Sequence, residues 1–298
     1  MPEKRIKVAV QNAGRLTDHS LDLLRRCGLK YTKGRDQLIC FGENMPVDVM
    51  LVRDDDIPSL VRDDVCDLGI VGMNVVKEKT LSVINGNPLP RYKSSSLLDF
   101  GHCRLSIAAQ QGVAYHSTST LSGSRIATSY PHILTAWLSE RRVDAEVVTF
   151  SGAVEVAPRL GKADFICDLV SSGTTLAANH LYEVETVFES RAALIQTPVP
   201  VPDEKADWIA RLLQRVEGVL QVRESKYIML HAPRSALAEI TSLLPASEAA
   251  TVMQLEGRPD KVALHVFCRE NVFWETLEAL KSAGASSVLV LPVEKMLA

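Results

Sequence analysis

ICDLVSSGTTLAANHL, residues 166–181, decides how the rest of this chain is read. A short apolar run reaches Asp168. Leu169 and Val170 follow, and then four hydroxyls around one glycine: Ser171, Ser172, Gly173, Thr174 and Thr175. The run before Ser171 has the pattern of a buried strand, and LAANHL after Thr175 reads as a helix. A helix start leaves backbone N–H groups without intrahelical acceptors and carries partial positive charge. Glycine permits close backbone approach, and Ser and Thr add donors without bulk. Together they suit a phosphate cradle at the carboxyl end of a strand. Asp168, at the strand end, suits a sugar hydroxyl or a magnesium ion. The plainer alternative is a turn with an N-cap and nothing more.

Outward from this stretch the same plan recurs. DLGIVGMNV, from residue 67, is a second buried run ending at glycine. IKVAV at 6–10, LICF at 38–41, VDVMLV at 47–52, CRLSIAA at 103–109, SRIATSYP at 124–131 and AEVVTF at 145–150 also read as strands. SLDLLRRCGL at 20–29 and DDDIPSLVRDDV at 54–65 are helix candidates between them. So are HILTAWLSE after Pro131 and part of SGAVEVAPRLG at 151–161. Strands alternating with short helices predict α/β sheets, and the two strand-to-glycine units suggest two similar lobes facing each other. TPVPVPDE at 197–204 reads as a connection. The segment 205–221 after it puts Trp208, Ile209, Leu212, Leu213, Val216, Val219 and Leu220 on one helix face. The last seventy or so residues follow the order βαββαβ, a ferredoxin-like arrangement without a cluster of catalytic residue types. The expected division is 1–97 with 188–224 as the first lobe, 98–187 as the second, and 225–298 as a separate regulatory or assembly module.

Bulk properties narrow the function classes. The 298 residues are 46% hydrophobic and 23% charged with a net charge of −3, which fits a soluble multidomain protein and argues against a nonspecific nucleic-acid binder. No apolar run approaches the roughly 20 residues that span a bilayer, and MPEKRIKVAVQNAGR has no long apolar segment of a secretory leader, so a cytoplasmic protein away from membranes is expected. The six cysteines form no C-x-x-C pair and read as reduced, buried residues, and the histidine spacing does not suggest structural zinc. G-x-x-x-x-G-K-[ST], G-x-G-x-x-G and G-x-S-x-G are absent.

The opening stretch resembles the phosphoribosyl-pyrophosphate loop of the ATP phosphoribosyltransferase family. The resemblance extends through VAVQNAGRL at 8–16, ENMPVDVMLVRDDDIPSLV at 43–61, DLGIVGMNVV at 67–76, LDFGHCRLS at 98–106, RIATSYPH at 125–132 and GAVEVAPRLGKADFICDLV at 152–170. It continues through RESKYIMLHAP at 223–233 and FWETLEALKSAGASSVLVLP at 273–292. It implies a two-lobed core like a type II periplasmic binding protein, with a C-terminal ferredoxin-like domain as in the family's long form. It implies transfer of phosphoribosyl from phosphoribosyl pyrophosphate to N1 of ATP, the first step of histidine biosynthesis, with Mg2+ required. Inhibition by L-histidine through the third domain, and hexamers built from dimers, are also implied.

Residue by residue, the resemblance assigns Asp168 and Ser171–Thr175 to the phosphoribosyl-binding loop, with Asp168 also the candidate magnesium ligand. Arg15 in NAGR and Arg53 in LVRDDDIP take the roles of catalytic cleft arginines. Met73, Asp99, Tyr130 and Glu155 fall on the nucleotide side. Guanidinium groups fit the chemistry, because breaking the C1–pyrophosphate bond leaves an oxocarbenium-like sugar and a highly charged leaving group. Standing alone, Arg53 beside three aspartates reads first as a solvated or structural ion pair. Tyr130 and Asp99 have an alternative in surface packing, and Glu155 in a helix-start acid. Two positions depart from the family pattern: Met73 stands where a polar residue, often Glu, is expected, and His180 where glycine is usual. Competing readings are a binding module (a periplasmic-type ligand receptor or the effector domain of a regulator), a phosphoribosyltransferase for another base, and a noncatalytic subunit that kept the fold.

Overall fold

The computed structural model describes residues 5–34, 36–84, 87–88, 92–93, 95–221, 225–244, 249–268 and 274–293. The chain divides into two compact units: Met1–Asp22 with Leu29–Trp208, and Leu23–Gly28 with Ile209–Ala298.

The first unit is built on two main sheets. The six-stranded sheet runs in the order Ile39–Phe41, Val47–Val52, Ile6–Gln11, Leu68–Gly72, Ala192–Gln196, Ser95–Leu97. Its middle is parallel: Ile6 pairs with Val47 and Gln11 with Val52 on one side, and Val8 pairs with Leu68 on the other. Such strands are covered on both faces, so they read as continuous apolar runs. Val8, Ala9, Val10, Leu68, Ile70 and Val71 are all buried. The five-stranded sheet runs Glu146–Thr149, Arg125–Thr128, Phe165–Val170, Cys103–Gln110, Leu181–Ser190, with its first three strands parallel and the last two antiparallel to their neighbours. Side chains of Phe165–Val170 alternate: Phe165 and Cys167 pack with Trp137 and Leu138, while Ile166 and Val170 pack with Ala108 and Leu176.

The chain crosses between these sheets twice. The two crossings lie side by side, with Leu98 N donating to Ala192 O at 2.9 Å and Ala192 N donating to Phe100 O at 3.0 Å. The carboxyl ends of the parallel strands carry the loops where ligands bind in sheets of this kind.

The second unit contains the ferredoxin-like plan. Strand Lys226–Pro233, helix Leu237–Leu243, strands Thr251–Leu255 and Arg258–Cys268, helix Trp274–Ser282 and strand Ser286–Pro292 follow in the expected order. The sheet order places Lys226–Pro233 between Arg258–Cys268 and Ser286–Pro292. Ile228, Leu230, Ile240, Leu264, Val266 and Leu280 form its core. Helix Asp203–Gln221 buries Ile209, Leu212, Val216 and Val219, all on the expected apolar face. The six cysteines are free and buried.

Three local expectations need correction. LAANHL does not continue as a helix: helix Thr174–Ala178 is five residues long, His180 takes a positive φ of 58°, and Leu181 starts a strand. SGAVEVAPRLG holds no α-helix, only the short 3-10 turn Val154–Val156, because Ala153 is left-handed at φ 48° and Pro158 has no N–H to donate back to Val154. DDDIPSLVRDDV is a 3-10 turn, Asp54–Asp56, followed by a short helix, Ile57–Arg62, rather than one helix.

Candidate functional site

The opening motif forms the expected strand, loop and helix. Phe165–Val170 ends at the loop, Gly173 takes φ 81° at the N-cap, and helix Thr174–Ala178 follows. Any residue with a Cβ would be strained at this φ, although a Cβ on Gly173 would meet nothing within 4 Å. Ser172 and Thr174 share a hydroxyl contact of 2.8 Å. Thr174 N points at Ser172 Oγ at 3.5 Å, and among the described residues no acceptor takes the backbone N–H of Ser171, Ser172, Gly173 or Thr175. These donors surround a small cavity of about 130 Å³ that is also lined by Asp168 and Glu155.

Asp168 is half-buried, with Oδ1 accepting from Leu169 N at 2.8 Å. Burial first, and then the Glu155 carboxylate, pushes its pKa above the usual carboxylate range, despite the opposing backbone hydrogen bond. Ionisation of Asp168 is therefore made costlier by its surroundings, a cost that a cation or a ribose hydroxyl would relieve.

Arg15 sits in the loop after Ile6–Gln11. The Gln11 side chain shapes that loop by accepting from Leu16 N at 3.2 Å beneath Gly14, whose φ is 138°. Arg15 Nη1 donates to Gly101 O, on one of the two crossings, at 2.8 Å. One N–H anchors the guanidinium and the others remain for a ligand. Its charge reaches Asp54, whose pKa burial and Asp55 raise while Arg15 opposes.

A larger cleft of about 560 Å³ lies between the carboxyl ends of the two sheets. Arg53, Asp54, Glu78, Lys79, Tyr130 and Phe150 are among its lining residues. Two contacts cross it. Asn74 Nδ2 donates to Tyr130 OH at 3.0 Å, and Glu78 accepts from His132 N and Ile133 N at 2.8 and 2.9 Å. Tyr130 thus stands at the start of helix Pro131–Arg141, with its own N–H on Thr128 Oγ1 at 2.9 Å.

The expected residues therefore fall into groups. Asp168, Glu155 and Ser171–Thr175 meet at the small cavity, so Glu155 lies beside the hydroxyl loop. Arg53 and Tyr130 line the larger cleft. Arg15 and Asp99 lie near the crossings, Asp99 two residues before Gly101. Met73 stands at the first position of helix Met73–Leu81, its N–H on Arg191 O and its side chain packed against the buried cluster that includes Ile57, Val71 and Val75, and it is not among the residues lining the cleft. Sequence reasoning missed Asn74, Glu78, Ser190, Lys79 and Phe150. Asn74 carried a signal, an amide at a helix start within an apolar run.

A family model described as ATP phosphoribosyltransferase matches residues 53–218, and a second, described as HisG, C-terminal domain, matches residues 223–295. Among solved structures, the ATP phosphoribosyl transferase (HisG:HisZ) complex from Thermotoga maritima is 24% identical, covering 72% of this chain and 98% of its own with a TM-score of 0.57, a likeness of fold. The Bordetella pertussis BvgS periplasmic VFT2 domain is 16% identical over 72% of this chain and 87% of its own, with a TM-score of 0.47. The first family model alone spans more than half of the sequence, and so the chain belongs to the ATP phosphoribosyltransferase family, the pentosyltransferases that open histidine biosynthesis.

Proposed function

We propose that the small cavity holds the 5′-phosphate of phosphoribosyl pyrophosphate and that the larger cleft holds ATP, with Arg15 and Arg53 on the pyrophosphate. The observation that carries this reading is the set of N–H groups at Ser171–Gly173 and Thr175 that have no acceptor among the described residues, beside the hydroxyls of Ser172 and Thr174. Asp168 and Glu155 suit the ribose hydroxyls. Tyr130 belongs to the nucleotide side, whereas Met73 and Asp99 act there only indirectly, through the helix start and the crossing that carry them.

The reaction needs little from a general base. The lone pair on adenine N1 attacks C1 of the ribose as the C1–O bond to pyrophosphate breaks. What must be stabilised is charge: positive on the sugar, negative on the departing pyrophosphate. Fixed guanidinium groups stabilise the second in a site from which water is partly excluded.

Magnesium fits the donors present. No group of three or more metal-binding side chains occurs among the described residues, so an all-protein cage is not available. Asp168 and Glu155 offer hard oxygen ligands at the cavity, and Mg2+ is commonly held by one or two carboxylates with substrate phosphates and water. When bound, the ion would supply charge neutralisation to substrate phosphate oxygens near these carboxylates.

The C-terminal module, residues 225–298, is proposed to bind L-histidine as a feedback inhibitor and to support assembly from dimers to hexamers in the cytoplasm. No helix among the described residues is long and apolar enough to cross a membrane. A coupled absorbance assay with ATP, phosphoribosyl pyrophosphate, Mg2+ and pyrophosphatase, with and without histidine, tests the whole reading. Turnover suppressed by histidine is expected. Turnover with another base in place of ATP, or none from folded protein, overturns it.

A further inference from the structure

We propose that Asn74 and Ser190 form a fixed polar relay that sets Tyr130 as a hydrogen-bond donor to the nucleotide, which makes Asn74 a positioning residue of the transfer reaction. This rests on the placement of ATP in the larger cleft. Asn74 is 1% exposed and Ser190 5%. Ser190 Oγ accepts from Asn74 N at 3.0 Å and donates its one proton to Asn74 Oδ1 at 2.8 Å. These two bonds decide which way the amide faces. Turned over, it would give Ser190 Oγ two donors and leave the serine proton without an acceptor in a buried site, which is the costly arrangement. The amide nitrogen therefore faces Tyr130, and the phenol oxygen accepts from it at 3.0 Å.

The phenolic proton has to go elsewhere. Among the described residues it meets no acceptor, while Tyr130 lines the open cleft. Burial raises the pKa of Tyr130 well above its ordinary value, and the charges of Asp54, Asp168 and Asp55 push the same way against the Asn74 hydrogen bond, so the proton stays on at neutral pH. A donor locked in this direction suits the ring nitrogens and phosphate oxygens of a nucleotide. The relay also accounts for Gly72: a Cβ there would lie 2.3 Å from Asn74 Oδ1, so only glycine leaves the amide its place.

The test is a double-mutant cycle on the full chain with Asn74→Asp, Tyr130→Phe and the pair, plus Ser190→Ala in both Tyr130 backgrounds. Steady-state kinetics with ATP varied, ATP binding by calorimetry and thermal melts are read on each. In Asn74→Asp the carboxylate accepts the phenolic proton and withdraws it from the cleft. Asn74→Asp and Tyr130→Phe are each expected to weaken ATP by about tenfold, the worth of one hydrogen bond to a polar ligand, with the KM for phosphoribosyl pyrophosphate less changed. The double mutant should be no worse than either single, and Ser190→Ala should weaken ATP binding only where Tyr130 is present. Effects that multiply, or singles that bind ATP as the wild type does, overturn the relay. Should Asn74→Asp not fold, the Ser190→Ala pair decides in the same way. Wild-type protein that binds ATP without turnover would sink the proposed function while the binding cycle still decides the relay. Wild-type protein that binds no ATP would overturn both.

Discussion

Glu78 offers the most direct test of how the two sheets of the first unit are held together. It lies on helix Met73–Leu81 and is 9% exposed. Both of its oxygens are used by helix Pro131–Arg141, which flanks the other sheet: His132 N donates at 2.8 Å and Ile133 N at 2.9 Å. Pro131 has no N–H, so these are the first donors of that helix, and a carboxylate there also meets the positive end of the helix dipole. Hydrogen bonds to charged groups contribute about 1.5–3 kcal/mol each. The cleft lets water reach His132 once the acceptor is gone, so the lower end applies, and Glu78→Ala should cost about 3 kcal/mol. Glu78→Gln keeps one acceptor oxygen and should cost about half, or ~1.5 kcal/mol. For a unit near two hundred residues these losses correspond to falls in Tm of about 6–12 °C and 3–6 °C.

Differential scanning calorimetry at pH 7.5 is the assay, with Glu140→Ala as the control. Glu140 lies on the same helix but, among the described residues, pairs only with its exposed neighbour Arg141 at 3.1 Å, so its loss should be nearly silent. A Tm for Glu78→Ala within 1 °C of wild type, or Gln as damaging as Ala, would show that the cap contributes nothing across the junction. The same helix start carries Tyr130 and His132 into the cleft, so kcat/KM for ATP should fall with the Tm in both variants.

Arg15→Ala should lower turnover by roughly 100-fold, the worth of one charge-stabilising group at a developing anion, while a thermal melt moves little because the arginine is exposed and, among the described residues, makes one hydrogen bond, to Gly101 O. Asp168→Asn should raise Tm at pH 7.5 and abolish most activity. The folded state raises the pKa of Asp168 above the ordinary 3.8, so the stability this group contributes is complete below 3.8 and is lost as pH rises through the folded value. The gain from Asn should therefore vanish in melts at pH 3.5, and a gain that persists there would contradict the assignment to ionisation. His180→Gly should stabilise the protein by about 0.5–1 kcal/mol, since a left-handed φ of 58° costs a side-chain residue more than glycine loses in unfolded-state freedom. An unchanged or lower midpoint in urea would refute that.

How much of this was legible in the sequence depended on the range of the interactions. The hydroxyl loop lies within Ser171–Thr175, and its strand and helix are its immediate neighbours, so local chemistry sufficed to read it. The βαββαβ module was legible because each of its elements carries its own hydrophobic period. Leu181–Ser190 gave no such signal. Its pairing with Cys103–Gln110 shifts register between Glu183 and Glu185 and again between Thr186 and Phe188, so the apolar alternation that marks a strand is broken twice. His180 reads as helical by composition, yet its backbone turns left because the strand must begin at Leu181. Asn74, Ser190 and Glu78 acquire their roles from partners 54 to 116 positions away, which no local pattern encodes.

The distribution of charge around the site argues for a substrate that spans it. The small cavity has carboxylates, hydroxyls and backbone N–H groups, and no basic side chain lines it among the described residues. It can hold one phosphate by dipole and hydrogen bonds, but a pyrophosphate beside Asp168 and Glu155 would meet two like charges. The cations are elsewhere: Arg53 and Lys79 on the larger cleft, Arg15 beside the crossings. A molecule with a single phosphate at one end and a pyrophosphate at the other matches this asymmetry, whereas a free nucleotide matches only the cleft. Reversing the asymmetry is therefore a sharp perturbation. Glu155→Lys would bring a cation to the cavity and should let inorganic pyrophosphate compete there, so its inhibition constant should fall by about tenfold, as expected for one new ion pair in a partly enclosed site. Unchanged inhibition by pyrophosphate would mean that the cavity excludes it by shape, and that charge does not sort the two ends of the substrate.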